Sequence, residues 1–513
     1  MEKNYIVAID LGSNNVVVAV GSKAPGGKVN IEEVVIRESA GVSAGEVKNV
    51  ETASAAIRKA LEEINEKLGI RVAEAYTGIS GNHIRCAKHP YYVIVAGRDG
   101  EITADDVRRL NESMRNMQAP SGFTLMHIIP QHYIVNDDEE VMDPVGRFGK
   151  TLGSTFNLII GEDTIIQRLE KALAKSEVAQ KKLFINPLAM AEAVTFPDEK
   201  ELGVAVVDIG AGTTDVCIYQ EGIVRSVSVI PIGADAINKD IRSYGIMERY
   251  VEDLKVMYGC AVADMVDAEK LVKIPGRTPN DYKDISFRNL ATIIESRMMD
   301  IIGYVMEEIK DSGYEGKLGA GIVLTGGAAN LNEIKALFEM RTGLEVRIAK
   351  PEILVTPESK AKVDDPRMSV AVGILWQGLN SGGETKVEKP AAGNAPAGNT
   401  DPWQAPQTVY DQIVQNQKGG AKKPADDDTD MGWEDDVDVR RKPKKEKKAK
   451  PEKVKKPKRD YSDFDDDDVQ EDADNNAPPK IGVFGKLRKA ITKAIDLDVL
   501  DDDDTTNDVT RRK

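Results

Sequence analysis

The apolar positions of this chain fall into short continuous runs that break at small polar residues. Residues 204–207, VAVV, form an apolar, β-branched run that predicts a buried strand, and 215–219, DVCIY, resume one. Asp208, Gly210, Gly212, Thr213 and Thr214 stand between them. Gly210 and Gly212 permit a tight turn and a close backbone approach. Successive N–H groups at such a tip form an anion-binding concavity, and a neighbouring Asp can hold Mg²⁺ directly or through water. Alone, the hairpin fits two readings: a Gly-rich turn with a solvated Asp, or a phosphate site. Residues 6–20, IVAIDLGSNNVVVAV, repeat the device, with a strand ending in Asp10, then Gly12, Ser13, Asn14 and Asn15, then a second strand. A third turn, GIVLTGGAANLNEI at 321–334, runs from a strand through Gly326 and Gly327 into a helical pattern with Asn330 near its start.

Helical periodicity predicts a helix over 100–117, with Thr103 as its N-cap and acids in the first turn. Residues 122–161 read as strands around a Pro-Gly turn, which makes this region a small α/β insertion. The segment 290–309, LATIIESRMMDIIGYVMEEI, predicts a long amphipathic helix with Met298 and Met299 facing a core. His127 and His132 alternate with apolar residues on a strand and have no companions at metal-ligand spacing, so they read as structural.

The pattern changes near residue 380. Residues 381–479 are rich in Pro, Gly, Ala and Asn, then hold a basic block at 440–459 and an acidic block at 460–474. Such a segment buries too little apolar surface to offset its ordering entropy and reads as disordered. The basic block could meet nucleic acid or anionic lipid, or pair with the acidic block beside it. Periodicity returns at 480–498, where Phe484, Leu487, Ile491 and Ile495 share one helical face and Lys486, Lys489 and Lys493 lie roughly opposite. A short basic amphipathic helix on a long tether can lie in a membrane interface, dock in a partner's groove, or fold back on its own domain. An acidic tail, 499–513, follows.

Composition narrows the class. The 513 residues hold 41% hydrophobic and 5% aromatic side chains, enough for several modules with real cores. A net charge of −16 argues against general nucleic-acid binding. Cys86, Cys217 and Cys260 are sparse and unpaired in spacing, which fits a reducing compartment. The opening MEKNYIVAID has no signal-peptide pattern, and no run of 18 apolar residues predicts a membrane span.

Two phosphate-type hairpins followed by a Gly-Gly turn resemble the actin, Hsp70 and sugar-kinase superfamily, which clamps ATP between two lobes. Several phrases resemble the bacterial FtsA cell-division family more narrowly: YTGISGNHI (76–84), HIIPQHYIV (127–135), DPVGRFGKTL (143–152), INPLAMAEAV (185–194), VEDLKVMYG (251–259) and DPRMSVAVGIL (365–375). The resemblance covers about 1–380. It implies an α/β, actin-like (ribonuclease H-like) two-lobed fold with an inserted small α/β subdomain, then a disordered linker and a terminal amphipathic helix. By the same resemblance, 1–83 with 163–200 form the first lobe and 84–162 the insert. Residues 201–232 with 320–380 form the second lobe and 233–319 its smaller subdomain.

Carried over by position, the resemblance implies that Asp10 and Asp208 organise Mg²⁺, directly or through water. Gly12, Ser13, Asn14 and Asn15 would hold one side of the phosphates of ATP, and Gly210, Gly212, Thr213 and Thr214 the other. Gly233, Glu252 and Lys255 would meet the nucleoside, with Gly326 and Gly327 closing over it. Relatives often carry Thr and Lys in the first hairpin, where this chain has Ser13 and Asn15. That implies weaker γ-phosphate neutralisation and slow or absent turnover. The family's role implies a head-to-tail polymer and binding of the C-terminal peptide of tubulin-like FtsZ on 233–319. It also implies recruitment of later division proteins, and membrane anchoring through Phe484, Leu487, Ile491 and Ile495 at the inner face of the plasma membrane. Other actin-like scaffolds, of the pilus-assembly or rod-shape type, remain alternatives. A small-molecule kinase would need a catalytic Asp base that the sequence does not place. An Hsp70-type chaperone would need a β-rich domain after residue 380.

Overall fold

Strand Ile6–Leu11 is buried at every position, because it is the middle of a five-stranded sheet covered on both faces. Its neighbours are Glu74–Ile79 on one side, parallel, and Asn15–Lys23 on the other, antiparallel. Ala179–Ile185 and Val29–Glu38 are the edges. The structure, a computed structural model, describes residues 4–388 apart from 98, 137–138, 277 and 279–281. The expected linker beyond 388, the amphipathic helix 480–498 with Phe484, Leu487, Ile491 and Ile495, and the acidic tail lie outside the described residues.

A second five-stranded sheet repeats the first. Val204–Ile209 is central, Thr214–Gln220 and Ile223–Ile230 follow antiparallel on one side, and Ile322–Thr325 and Val346–Ile348 lie parallel on the other. Both sheets are thus a three-stranded meander joined to two parallel strands. Helix Phe287–Ser312 buries Leu290, Ile294, Met298, Ile301 and Val305 against the second sheet's core, and Met299 packs half-buried beside them.

Between the first sheet's strands lies the insert, a four-stranded antiparallel sheet of Glu139–Val141, Phe123–Val135, Thr151–Glu162 and Arg85–Ile94. Helix Ala104–Arg115 lies against it and buries Leu110 and Met114 with Ile102, Leu152 and Phe156. Its start is fixed as the sequence predicts: Thr103 and Asp106 form a reciprocal capping box. Burial alone would raise the Asp106 carboxyl, but donation from the Thr103 and Ala96 N–H groups, the Thr103 hydroxyl and Arg109 holds it well below the usual carboxylate range.

Two boundaries differ from the sequence reading. The span 320–380 was assigned to the second lobe, but helix Ser369–Ser381 buries Val370, Val372, Ile374 and Leu375 in the first sheet's core. It crosses helix Asn186–Val194 so closely that a Cβ on Gly373 would sit 1.9 Å from the Ala189 carbonyl oxygen, and only glycine allows that approach. The linker expected from 381 also starts too early. Thr385 bonds to Tyr5 and Val7, and Val387–Glu388 forms a separate two-stranded sheet with Arg71–Val72.

A carboxylate held below its unfolded pKa adds stability above pH 4 and loses it as pH falls. Replacing Asp106 with Ala should therefore destabilise the insert by about 1–2 kcal/mol at pH 7, the loss of a buried cap, and by less at pH 2, where part of that contribution has already gone. Hydrogen exchange of 104–115 at the two pH values measures this.

Candidate functional site

The two meanders place their first turns side by side. The turn after Asp10 is closed by Gly12 N–H donating to the Asn15 carbonyl, and the turn after Asp208 by Gly210 N–H donating to the Thr213 carbonyl, both at 2.9 Å. The tips touch: a Cβ on Gly212 would lie 2.3 Å from Ser13 Oγ and 2.9 Å from Ala44 N. The Gly45 N–H donates to the same Ser13 Oγ at 3.2 Å. Beneath these tips opens a cavity of about 340 Å³, within the size range of small-molecule sites.

The cavity gathers most of the residues singled out in the sequence. Asp10, Gly12, Ser13, Asn14, Asn15, Asp208, Gly210, Gly212, Thr213, Glu252, Lys255, Gly326 and Gly327 all line it. Thr214 and Gly233 do not. Thr214 is fully buried behind the tip and donates its hydroxyl to the Ile232 carbonyl at 2.8 Å. Gly233 packs against the back of the turn, where a Cβ would meet the Gly210 and Ala211 carbonyls at 2.5 Å. Gly326, at φ +84°, brings its backbone against Asp208, whose Oδ1 would be 2.1 Å from a Cβ there.

The structure adds residues that motif reading passed over. Asp215 faces Asp208 across the second hairpin and accepts a 2.6 Å hydrogen bond from Ser80 Oγ. Asn186 donates to Asp10 Oδ1 at 3.3 Å, while its own buried Oδ1 has no partner. Arg367 lines the far wall and forks onto Asp365 at 2.6 and 2.8 Å. Ser80, Asn186 and Arg367 lie inside the phrases YTGISGNHI, INPLAMAEAV and DPRMSVAVGIL, and Asp215 directly follows the second Gly-rich turn, which was the available signal.

Burial pushes the Asp10 and Asp215 carboxyls up to about 7, offset partly by Asn186 at Asp10 and by Ser80 and Thr213 at Asp215. Asp208 keeps some surface on the cavity but is raised well above its ordinary value by burial and by the charges of Asp215 and Asp10. Five acids line the cavity, these three with Asp235 and Glu252, against two bases, Lys255 and Arg367. Both bases are paired, Lys255 to Glu252 at 2.8 Å and Arg367 to Asp365. Among the described residues, no three acidic, His or Cys side chains converge tightly enough to hold a metal by themselves. This donor set suits a cation that keeps its waters and arrives with an anionic ligand, which is the habit of Mg²⁺. Away from the cavity, His132 lies 2.7 Å from Arg225 Nη2 and 2.9 Å from Glu221.

An acid whose pKa is higher folded than unfolded has no effect on stability below about pH 4. It costs stability as pH climbs from there through its folded value, because the unfolded chain gives up the proton first. Asp208→Asn should therefore raise the melting temperature of the ligand-free protein at pH 8 by about 2 °C or more and leave it nearly unchanged at pH 4. Thermal denaturation at both pH values tests the sign.

Comparison with known proteins agrees with this geometry. The family profile described as Cell division protein FtsA matches residues 205–373, and that described as SHS2 domain inserted in FTSA matches 81–160. The Cell division protein FtsA of Pseudomonas aeruginosa is 32% identical over 375 residues, covering 73% of this chain and 89% of the relative. That of Escherichia coli K12 is 30% identical over 398 residues, covering 76% and 94%. That of Bacillus subtilis 168 is 30% identical over 371 residues, covering 72% and 82%. Among solved structures, the PilM-PilN type IV pilus biogenesis complex aligns at a TM-score of 0.51 and 14% identity, covering 73% of this chain and 98% of that one; the likeness is one of fold, the actin-like one. A third of the aligned positions shared along most of each relative, together with the two profiles, establishes that the chain belongs to the FtsA family of cell division proteins.

Proposed function

We propose that the chain binds Mg-ATP between its lobes, assembles into a polymer, and tethers the FtsZ ring to the inner face of the plasma membrane while recruiting later division proteins. The observation that carries the nucleotide reading is the meeting of two matched hairpin tips over one cavity lined by buried carboxylates. Asp10 comes from the first lobe and Asp208 from the second, so a cation between them would neutralise both. The tip amides and the Ser13 and Thr213 hydroxyls would face the phosphates. Glu252 and Lys255 also line the cavity and would meet the nucleoside, with Gly326 and Gly327 closing over it. ATP and Mg²⁺ fit what the cavity offers: an unpartnered amide oxygen on Asn186, desolvated carboxylates in need of a counter-charge, and glycine-lined walls.

Turnover is proposed to be slow or absent. The first hairpin carries Asn15 where relatives often carry Lys, and the two bases that line the cavity are engaged by Glu252 and Asp365. Bound nucleotide then acts as a structural clamp between lobes. The FtsZ peptide is assigned to the subdomain 233–319, whose exposed Tyr244, Met265 and Tyr282 supply apolar contact surface. Among the described residues no helix is long and apolar enough to cross a membrane, so attachment is assigned to the amphipathic face Phe484, Leu487, Ile491 and Ile495. One such helix binds marginally, and a polymer presenting many copies binds through avidity.

Calorimetry should show Mg-ATP binding that is abolished by chelating the metal and weakened at least about 100-fold by Asp10→Ala or Asp208→Ala; an unchanged affinity in both variants would remove the nucleotide reading. Co-sedimentation with anionic vesicles should pellet the full chain and leave a 1–479 truncation in solution. Equal pelleting would remove the membrane assignment.

A further inference from the structure

One hairpin touches both the cavity and the insert. Strands Thr214–Gln220 and Ile223–Ile230 are antiparallel neighbours at one side of the second sheet. At the cavity end, Asp215 is bonded to Ser80, which lies just before the insert's first strand, Arg85–Ile94. At the other end, Arg225 is 4% exposed and fully engaged. Its Nε donates to the Gln220 carbonyl at 3.2 Å and its Nη1 to Gln131 Oε1 at 3.1 Å. Its Nη2 donates to Glu221 at 2.7 Å and lies 2.7 Å from His132 Nε2. Gln131 and His132 belong to the insert strand Phe123–Val135. Two bonds return from the insert: Gln131 Nε2 donates to the Val224 carbonyl at 3.0 Å, and Asn157 Nδ2 to the Arg225 carbonyl at 2.9 Å.

A buried guanidinium bonded on several sides is a joint with one geometry. Sliding the insert would strip partners from a charge that water cannot reach, at high cost. An apolar contact would slide more freely. The insert is therefore rooted in the first lobe by its chain ends and fastened to the second sheet by side chains. We propose that the hairpin 214–230 is a lever that passes the state of the cavity to the insert, with the Ser80–Asp215 bond and the Arg225 joint as its two fastenings. Asp215 shares a rung with Asp208, so whatever engages Asp208 acts on the hairpin directly. A shift of the second sheet relative to the first then swings the insert about its root. This rests on the nucleotide reading above, and it adds that the insert, not the cavity alone, responds to the ligand.

Hydrogen exchange of the full chain, with and without Mg-ATP, tests it. The wild type should slow at 10–15 and 208–215 and, by about fivefold or more, in the insert strands 123–135 and 151–162. Arg225→Met should keep the slowing at the tips and lose it in the insert, and without ligand should exchange faster over 123–135. Tips that slow while the wild-type insert does not would overturn the lever and leave nucleotide binding standing. So would an insert response that persists in Arg225→Met. No slowing at the tips would remove the nucleotide reading and the lever together. Gln131→Leu removes the bonds of one insert side chain while Arg225 keeps Glu221. It should at least halve the insert response in a chain that still melts cooperatively, and it decides the question should Arg225→Met fail to fold; a full response in it counts against the lever.

Discussion

Everything at the site depends on two turns lying in van der Waals contact, Gly212 against Ser13. A side chain at 212 would overlap Ser13 Oγ and the Ala44 amide. The glycine therefore sets how near the two meanders come, and that spacing brings Asp10 and Asp208 onto one cavity. Gly326 does the same from the third side, its backbone resting on the Asp208 carboxylate. The cavity is thus bounded where chains touch through glycine, and its size follows from backbone packing more than from any one side chain.

The fold repeats itself with one asymmetry that matters. Both sheets have the same strand order, both first turns close with the same hydrogen bond, and both first strands carry an aspartate just before their last residue. The residue facing Asp10 across its hairpin is Val17, whereas the residue facing Asp208 is Asp215. The first lobe presents one carboxylate with an amide partner. The second presents two carboxylates on one rung. Attraction for a cation is therefore weighted towards the second lobe, and that is where the hairpin leading to the insert begins.

The sequence made much of this legible because its signals were local. Apolar runs ending in Asp-x-Gly reveal a strand and its turn from neighbouring residues alone. The Thr103 cap and the amphipathic region 290–309 were readable for the same reason. What stayed hidden was set by distant packing. Helix Ser369–Ser381 follows the second lobe in sequence, yet packs on the first because Gly373 fits the back of Ala189. Nothing within that helix's own pattern indicates which sheet it covers. Asp215 looked like an ordinary strand residue until its register with Asp208 and its bond to Ser80 were visible. Thr214 lies off the cavity lining for the opposite reason: a hydroxyl beside a phosphate-type turn invites a ligand role, but strand alternation turns it towards the Ile232 carbonyl.

The charge balance of the cavity explains how such a site can be both costly and useful. Burying Asp10, Asp208 and Asp215 near one another opposes folding at neutral pH, since each prefers water when ionised. Natural proteins keep such arrangements where a ligand relieves them. With both cavity bases already paired to acids, a cation shared between lobes would supply that relief. That cation would gain most when both aspartates reach it, so its binding energy would favour the arrangement in which the tips are in register. A carboxylate cluster split between two lobes in this way would convert ion binding into alignment of the lobes. The hydrogen bonds from Ser80 and Arg225 would then set how far that alignment is felt beyond the cavity.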